Sequence, residues 1–287
     1  MPADAETMKR VETGGAVALV LSGGFILFLI LLALFAPLVA PVDPLEQDLL
    51  LEKLPPAWSA DAEPGYWLGT DSLGRDVLSR LIHGARTALI VAFLAASAAA
   101  LLGSVLGLMA GFFRGWVDTL ISRAVDVWMS FPPVLLSILL VAVLGTGLHS
   151  VVIAIAVIDW TRFCRVIRTE TLAQRAEDYV DAARIVGLTR WQTLWREILP
   201  NVWPTILVLL SLEMGIAVIV EAILSFVGLS VASDTPTWGG MIAEGRQVIH
   251  YAWWVLVFPL GALCLTVLAF NRFGDALRRQ VDPVLRR

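Results

Sequence analysis

The sequence predicts an all-α integral membrane protein with six transmembrane helices, and three observations carry that reading. Of its 287 residues 58% are apolar and only 16% charged, where a water-soluble domain carries about a quarter. Mean hydropathy is +0.79. The charges are bunched, and the uncharged runs between the bunches are long enough to cross a bilayer at about 20 residues each. A soluble monomer is excluded.

No charge occurs over residues 13–42, 87–113, 127–158 or 247–271, and each run can hold a spanning helix. The first holds helix one. It is too long for the apolar core of a cleaved signal peptide, and no cleavage site follows it, so it reads as a retained anchor. The second holds helix two, along which Ala99, Gly103, Gly107 and Gly111 stand four apart. Such a small-residue ridge marks close helix approach, within the bundle or against another subunit. The third run is split by Gly145-Thr146-Gly147, which gives helix three over about 121–144 and helix four from Leu148. Phe131-Pro132-Pro133 predicts a break or kink in helix three, because each proline removes a backbone donor. Helix four reaches spanning length only by taking in Asp159 and Arg162; helix five, about 201–226, must likewise take in Glu213 and Glu221. The last run holds helix six.

Six spans put both termini on one side, and the positive-inside rule chooses which. Lys9, Arg10, Arg114, Arg123, the arginines from Arg162 to Arg196 and those from Arg272 to Arg287 fall on one side of the membrane, which is therefore cytoplasmic. Only Lys53, Arg75, Arg80, Arg86 and Arg246 fall outside. Trp116, Trp128 and Trp203 near one boundary, with Trp253 and Trp254 near the other, fit interfacial belts, although simple packing explains any one of them equally. Three connections exceed a turn: an external stretch 41–85, a charged cytoplasmic stretch 169–200 and an external stretch 228–251. In the cytoplasmic one Ala182, Ala183, Val186, Gly187, Leu194 and Ile198 recur at helical spacing, which predicts short helices outside the membrane. Residues 69–86 read as an amphipathic helix lying at the outer interface, with Asp76 and Arg80 paired at i and i+4.

Several functions are excluded by what is missing. A net charge of −4, with 21 basic against 25 acidic residues, gives no basic face for nucleic acid. His83, His149 and His250 lack the spacing of a zinc site, and Cys164 and Cys264 read as small apolar residues, so neither metal nor disulfide is expected. The two lysines, Lys9 and Lys53, do not follow a glycine, so the chain has no phosphate-binding loop of its own. Neither a G-x-S-x-G nor an H-E-x-x-H motif occurs, so a membrane hydrolase has no support.

At Asp181-Ala182-Ala183, followed by Gly187-Leu188 and then Leu199-Pro200, the chain resembles the E-A-A-x-x-x-G … L-P loop of the permease subunits of ABC importers, with Asp181 where that family has Glu. Other segments are similar to the C-type membrane subunit of the dipeptide/oligopeptide/nickel branch. They are Gly69-Thr70-Asp71-Ser72-Leu73-Gly74-Arg75-Asp76 with Ser79-Arg80; Glu221-Ala222-Ile223-Leu224-Ser225-Phe226-Val227-Gly228-Leu229; Thr235-Pro236-Thr237-Trp238-Gly239 with Glu244-Gly245-Arg246; and Asn271-Arg272-Phe273-Gly274-Asp275 with Asp282-Pro283. The resemblance implies the type I importer fold, with helices two to six as core and helix one packed on a partner permease. It divides the chain into a cytoplasmic tail 1–15, helix one 16–40, an external loop with an amphipathic helix 41–85, the core 86–273 and a tail 274–287. It implies that Asp181, Ala182, Ala183, Gly187, Leu188, Leu199 and Pro200 couple the chain to ATPase subunits. The implied partners are a homologous second permease, two ABC ATPases that bind the ATP and Mg, an extracytoplasmic binding protein and membrane lipid, in a bacterial inner membrane. This chain itself would be no enzyme and hold no cofactor.

Intramembrane charges are functional candidates because burying them is expensive. Asp159 and Arg162 lie on one helical face and can pair. Glu213 and Glu221 are candidates for lining the translocation path, with Asp159 a third, against a purely structural hydrogen-bonded role. The implied cargo is a di- or oligopeptide; nickel, glutathione, opine or another small solute fits the same fold. A proton-driven secondary transporter using Asp159, Glu213 and Glu221 as a relay is the alternative from another class, but it leaves 181–200 unexplained.

Overall fold

The computed structural model describes residues 3–230 and 235–281, with side chains for 17–230 and 235–280. The readings placed on the side chains of Lys9 and Arg10, and on Asp282, Pro283, Arg286 and Arg287, lie outside those residues. Among the described residues the regular elements are helices and helical turns, apart from one isolated bridge between Thr70 and Asp76. In chain order the helices are α1 (Ala3–Leu34), α2 (Ala36–Val39), α3 (Val77–Phe113), α4 (Gly115–Met129), α5 (Pro133–Leu144), α6 (Leu148–Arg175), α7 (Asp178–Ile185), α8 (Arg190–Thr193), α9 (Leu199–Phe226), α10 (Trp238–Val248) and α11 (Trp254–Val281). A π-helical turn, Leu194–Ile198, joins α8 to α9.

By length and apolarity α1, α3, α11 and α9 with the turns before it can each cross a bilayer, and α4 with α5 makes a bent fifth span. The sixth is α6, long enough at 28 residues but charged from Asp159 onward, as the sequence requires. Two readings are corrected. Helix three is not continuous over 121–144: α4 and α5 meet at 88°. Pro132, immediately before Pro133, is extended at ψ 121, because a following proline ring clashes with a helical residue. Nor is there a separate amphipathic helix over 69–86. Residues 69–76 form a turn, and from Val77 a single helix of 37 residues runs to Phe113. At about 55 Å it is far longer than the hydrocarbon core of about 30 Å, so its first turns stand outside the membrane. The external loop therefore ends at 76 and not at 85. Those first turns are core rather than interface: Val77, Ile82 and Ala85 are buried, and Gly84 leaves room for the indole of Trp238 on α10.

The small-residue ridge belongs to this chain's own bundle. A Cβ on Gly103 would strike the carbonyl of Trp160, one on Gly107 would lie 2.7 Å from the carbonyl of Cys164, and one on Gly111 2.7 Å from Cβ of Thr171. All three contacts are on α6, so α3 and α6 touch backbone to backbone along three turns. α9 packs on α11 in a similar way, with Gly274 against Leu212 and the hydroxyl of Ser211 donating to the carbonyl of Phe270 at 3.0 Å. α1 lies on the outside of α11, where Gly23 faces Phe273, and leaves Val20, Leu27, Phe28 and Leu34 exposed. Cys164 is buried as expected, whereas Cys264 is exposed on α11.

The ridge gives a direct test. Gly107→Leu forces a side chain into the backbone of α6 and is expected to cost about 1–3 kcal/mol or more, lowering the unfolding temperature of the detergent-solubilised protein. Gly24→Leu, at a position with nothing within 4 Å of its Cβ, is expected to leave it unchanged.

Candidate functional site

The cytoplasmic connection is an ordered structure with an exposed tip. α7 starts with Asp178 and Asp181 in its first turn, where carboxylates complement the helix dipole, and ends with Arg184 in its last. Its C-terminus closes as a Schellman motif: the Gly187 N–H donates to the carbonyl of Arg184 at 3.0 Å and the Leu188 N–H to that of Ala183 at 3.1 Å. That motif needs a left-handed residue, and Gly187 has φ +94 with nothing within 4 Å of where a Cβ would stand. The glycine is thus required by backbone conformation and not by crowding within the chain. Thr189 and Gln192 then form a reciprocal capping box that starts α8, and Pro200 enters α9 in the first turn, where its missing donor is not needed.

The tip is apolar. Ile185 is 86% and Val186 79% exposed, with Trp191 and Trp195 about half exposed beyond them. Of the positions at helical spacing, Val186 faces outward, whereas Leu194 and Ile198 are buried. Asp181 is exposed and paired with Arg184 at 2.8 Å; Ala182 is exposed and Ala183 and Leu188 half-buried. Behind the tip, Val180, Leu194 and Ile198 join Phe112 of α3, Ile167 of α6 and Val202 and Ile206 of α9 in one apolar cluster. The hydroxyl of Tyr179 donates to Gln174 at 2.8 Å and accepts from Asn201 at 3.4 Å, and burial pushes this phenol up from its ordinary pKa. The tip is therefore fastened to three spanning helices. The sequence reading overlooked Ile185, Trp191 and Trp195; their signal is large apolar side chains inside an otherwise charged loop.

The intramembrane charges are turned inward. Arg162 of α6 reaches across to α9 and donates to Glu213 at 3.3 Å, and no ion pair joins it to Asp159 among the described residues, so the expected pairing within α6 is replaced by one between helices. Glu213 is 2% and Asp159 5% exposed. Glu221, 1% exposed, accepts hydrogen bonds from Ser225 at 2.6 Å and Ser230 at 3.2 Å. The Ser230 carbonyl in turn accepts from the N–H of Gly147, tying the end of α9 to the α5–α6 turn. Glu213 and Glu221 are bonded to other groups within the chain's own bundle, and Asp159 is buried there as well.

Outside the membrane a second network joins α3 to α10. Asp71 accepts from Nε of Arg75 at 2.7 Å and from Arg80, and Glu244 accepts from Arg75 at 2.8 Å and from Arg80 at 2.6 Å. Asp71 also caps its own turn through the N–H groups of Leu73 and Arg75. Asp76, read as the partner of Arg80, instead caps α3 by accepting from the Ser79 N–H at 2.7 Å. The carbonyl of Thr70 accepts from the indole of Trp254 at 3.0 Å, so the 69–76 turn is bonded to α11 as well.

A bent span, a charged span and an ordered cytoplasmic loop of short helices describe the membrane subunit of a type I ABC importer. One subunit of the MetNI methionine ABC transporter, solved in inward-facing conformations, superposes with a TM-score of 0.60 over 71% of this chain and 97% of its own at 20% identity, which shows the fold. The chain belongs to the family of binding-protein-dependent transport system inner membrane components, which it matches over residues 103–287; residues 18–56 match the N-terminal transmembrane domain of oligopeptide transport permease C. It is a multi-pass inner-membrane protein. The di/tripeptide transport system permease of Pseudomonas aeruginosa is 41% identical over 91% of this chain and 86% of its own length. A glutathione transport system permease of Pectobacterium atrosepticum is 39% identical over 93% and 87%.

The outer network makes a prediction. Asp71→Ala leaves Arg75 and Arg80 buried with only Glu244 between them, and breaking a buried pair costs about 3–5 kcal/mol. The variant is expected to unfold at markedly lower temperature in detergent, while Glu52→Ala, which removes an exposed pair with Lys53, is expected to shift it little.

Proposed function

We propose that this chain forms half of the translocation pathway of an ATP-driven importer for short peptides. It pairs with a homologous permease, receives substrate from an extracytoplasmic binding protein and docks one of two ATPases, which bind ATP and Mg and carry out the hydrolysis. The observation that carries the reading is the tip of α7. Two adjacent aliphatic side chains, 86% and 79% exposed, project from a Schellman-capped helix whose other side is packed on α3, α6 and α9. A soluble domain gripping Ile185 and Val186 would move those helices as one body, with Asp181, Ala182, Ala183, Gly187 and Leu188 shaping the grip and Leu199 and Pro200 forming the root of the lever. Peptide cargo is supported by the relatives named for di- and tripeptides and for glutathione, itself a modified tripeptide. The burial of Asp159, Glu213 and Glu221 favours a structural role for them over a path or proton relay.

Affinity purification in mild detergent is expected to recover a second permease and two P-loop ATPases with this chain; recovery of the chain alone would overturn the assignment. Uptake is expected to survive a protonophore and to fail on ATP depletion. Gly187→Arg, which cannot hold the left-handed cap without about 1–2 kcal/mol of strain, is expected to insert normally yet abolish substrate-stimulated ATP hydrolysis. Gly187→Asn, which tolerates that conformation, is expected to retain most of it. Equal stimulation in both would remove the docking role of this loop.

A further inference from the structure

The charges of the cytoplasmic stretch 169–200 nearly cancel, four arginines against five acids, yet they are not mixed. α7 divides them. Its Val180 is buried and its Ala183 half-buried against the bundle, and at about 100° per residue Tyr179 and Arg184 stand on opposite flanks of that seam, about 140° apart. Ile185 points away from the seam, so the apolar tip stands between the two flanks.

The Arg184 flank is basic. The guanidinium of Arg175 sits 5.8 Å from the centre of the Phe112 ring, Phe112 meets Phe113 edge-on at 5.2 Å, and Phe113 meets Trp191 at 5.0 Å. This aromatic row brings Arg114, next to Phe113, and Arg190, next to Trp191, toward Arg184, and all three exposed arginines act on Arg175 with like charge. Asp181 opposes them but is held by Arg184 at 2.8 Å, and Asp118, near Arg114, is held by Arg168. The Tyr179 flank is acidic. The Tyr179 hydroxyl donates to Gln174, which donates to Glu170 at 3.2 Å; Asn201, which donates to Tyr179, also donates to the carbonyl of Glu197 at 2.7 Å. Burial raises the pKa of this phenol, and the charges of Glu177, Glu197 and Glu170 raise it further. Among the described residues no ion pair engages those three glutamates.

We propose that these flanks set the rotational register of the ATPase on the tip, the docked domain presenting acidic side chains to Arg114 and Arg190 and basic ones to Glu177 and Glu197. The inference rests on the docking reading above and specifies the partner's surface. An apolar grip on Ile185 and Val186 has no direction about its own axis, whereas opposite charges on either side of it fix one. An apolar centre inside a polar rim is also the anatomy of a protein interface. Anionic lipid headgroups would suit the arginines alone and would repel the glutamates. A bipolar rim therefore calls for a protein surface of opposite polarity.

The test uses the assembled importer in lipid nanodiscs with fluorescently labelled ATPases, and reads their apparent dissociation constant from the signal lost on dilution. Arg114→Gln with Arg190→Gln, and separately Glu177→Gln with Glu197→Gln, are each expected to raise it about three- to tenfold. Arg190→Lys and Glu177→Asp, which keep the charges, are expected to leave it near the parent value, as is Glu52→Gln on the outer face. Added salt is expected to weaken the parent complex more than either double variant. Weakening by one pair alone, or tightening by the other, would mean attraction by net charge and would overturn the bipolar rim. Equal weakening in the charge-keeping variants would overturn the electrostatic role. An unchanged constant in both double variants, in a complex whose ATP hydrolysis substrate still stimulates, would overturn the register and leave the docking tip standing, whereas a chain that recovers no ATPase would overturn both. An arginine effect seen only in discs containing phosphatidylglycerol, and absent in phosphatidylcholine alone, would make the basic flank a lipid headgroup site instead.

Discussion

The close approach of α3 and α6 along Gly103, Gly107 and Gly111 is the contact on which the other elements depend. In a bilayer, lipid tails are as apolar as leucine, so helices gain little from hiding apolar surface and associate by tight packing and by hydrogen bonds. Backbone contact over three turns fixes α6 despite its charges. With α6 placed, Arg162 can reach Glu213 on α9, and Arg168 can grip Asp118 of α4 through two bonds, at 2.5 and 2.8 Å. The cytoplasmic end of α6 then delivers α7 to its position.

The charges inside this fold follow one rule. A carboxylate or guanidinium taken from water must find a partner nearby, and here three sets of them do so across helices or turns. Arg162 and Glu213 join α6 to α9; Glu221, through Ser225 and Ser230, joins α9 to the α5–α6 turn; Asp71 and Glu244, through two arginines, join the entrance of α3 to α10. Intramembrane polar groups act here as fasteners between helices that packing alone would hold loosely.

The cytoplasmic loop uses a different economy. Its tip exposes two aliphatic side chains that a free-standing protein would hide, while its root is packed among three spanning helices. The left-handed turn at Gly187 separates the two, reversing the chain so that α8 and the π-helical turn can return it to α9. On the other side of the membrane the 69–76 turn, α10 and the tryptophans 238 and 254 make an equally rigid cap. Rigid bodies at both faces, joined by long helices, are what a transporter needs if movement at one face is to be felt at the other.

By itself the sequence determined the spans, their orientation and the cytoplasmic loop, because uncharged length, the placement of arginines and a lone glycine followed by a capping sequence are all properties of one stretch of chain. Helical periodicity also pointed to the short helices α7 and α8 within that loop. It could not choose partners. Arg162 meets Glu213 across 51 residues and Arg80 meets Glu244 across 164, while Asp76, the nearer candidate for Arg80, caps α3. Nor could it say which helix the glycine ridge would meet, or that 77–86 would be the first turns of a helix buried under Trp238 and not a surface helix. Local spacing fixes which face of a helix a side chain occupies; what stands opposite that face is set by how the helices pack, and only the tertiary structure decides it.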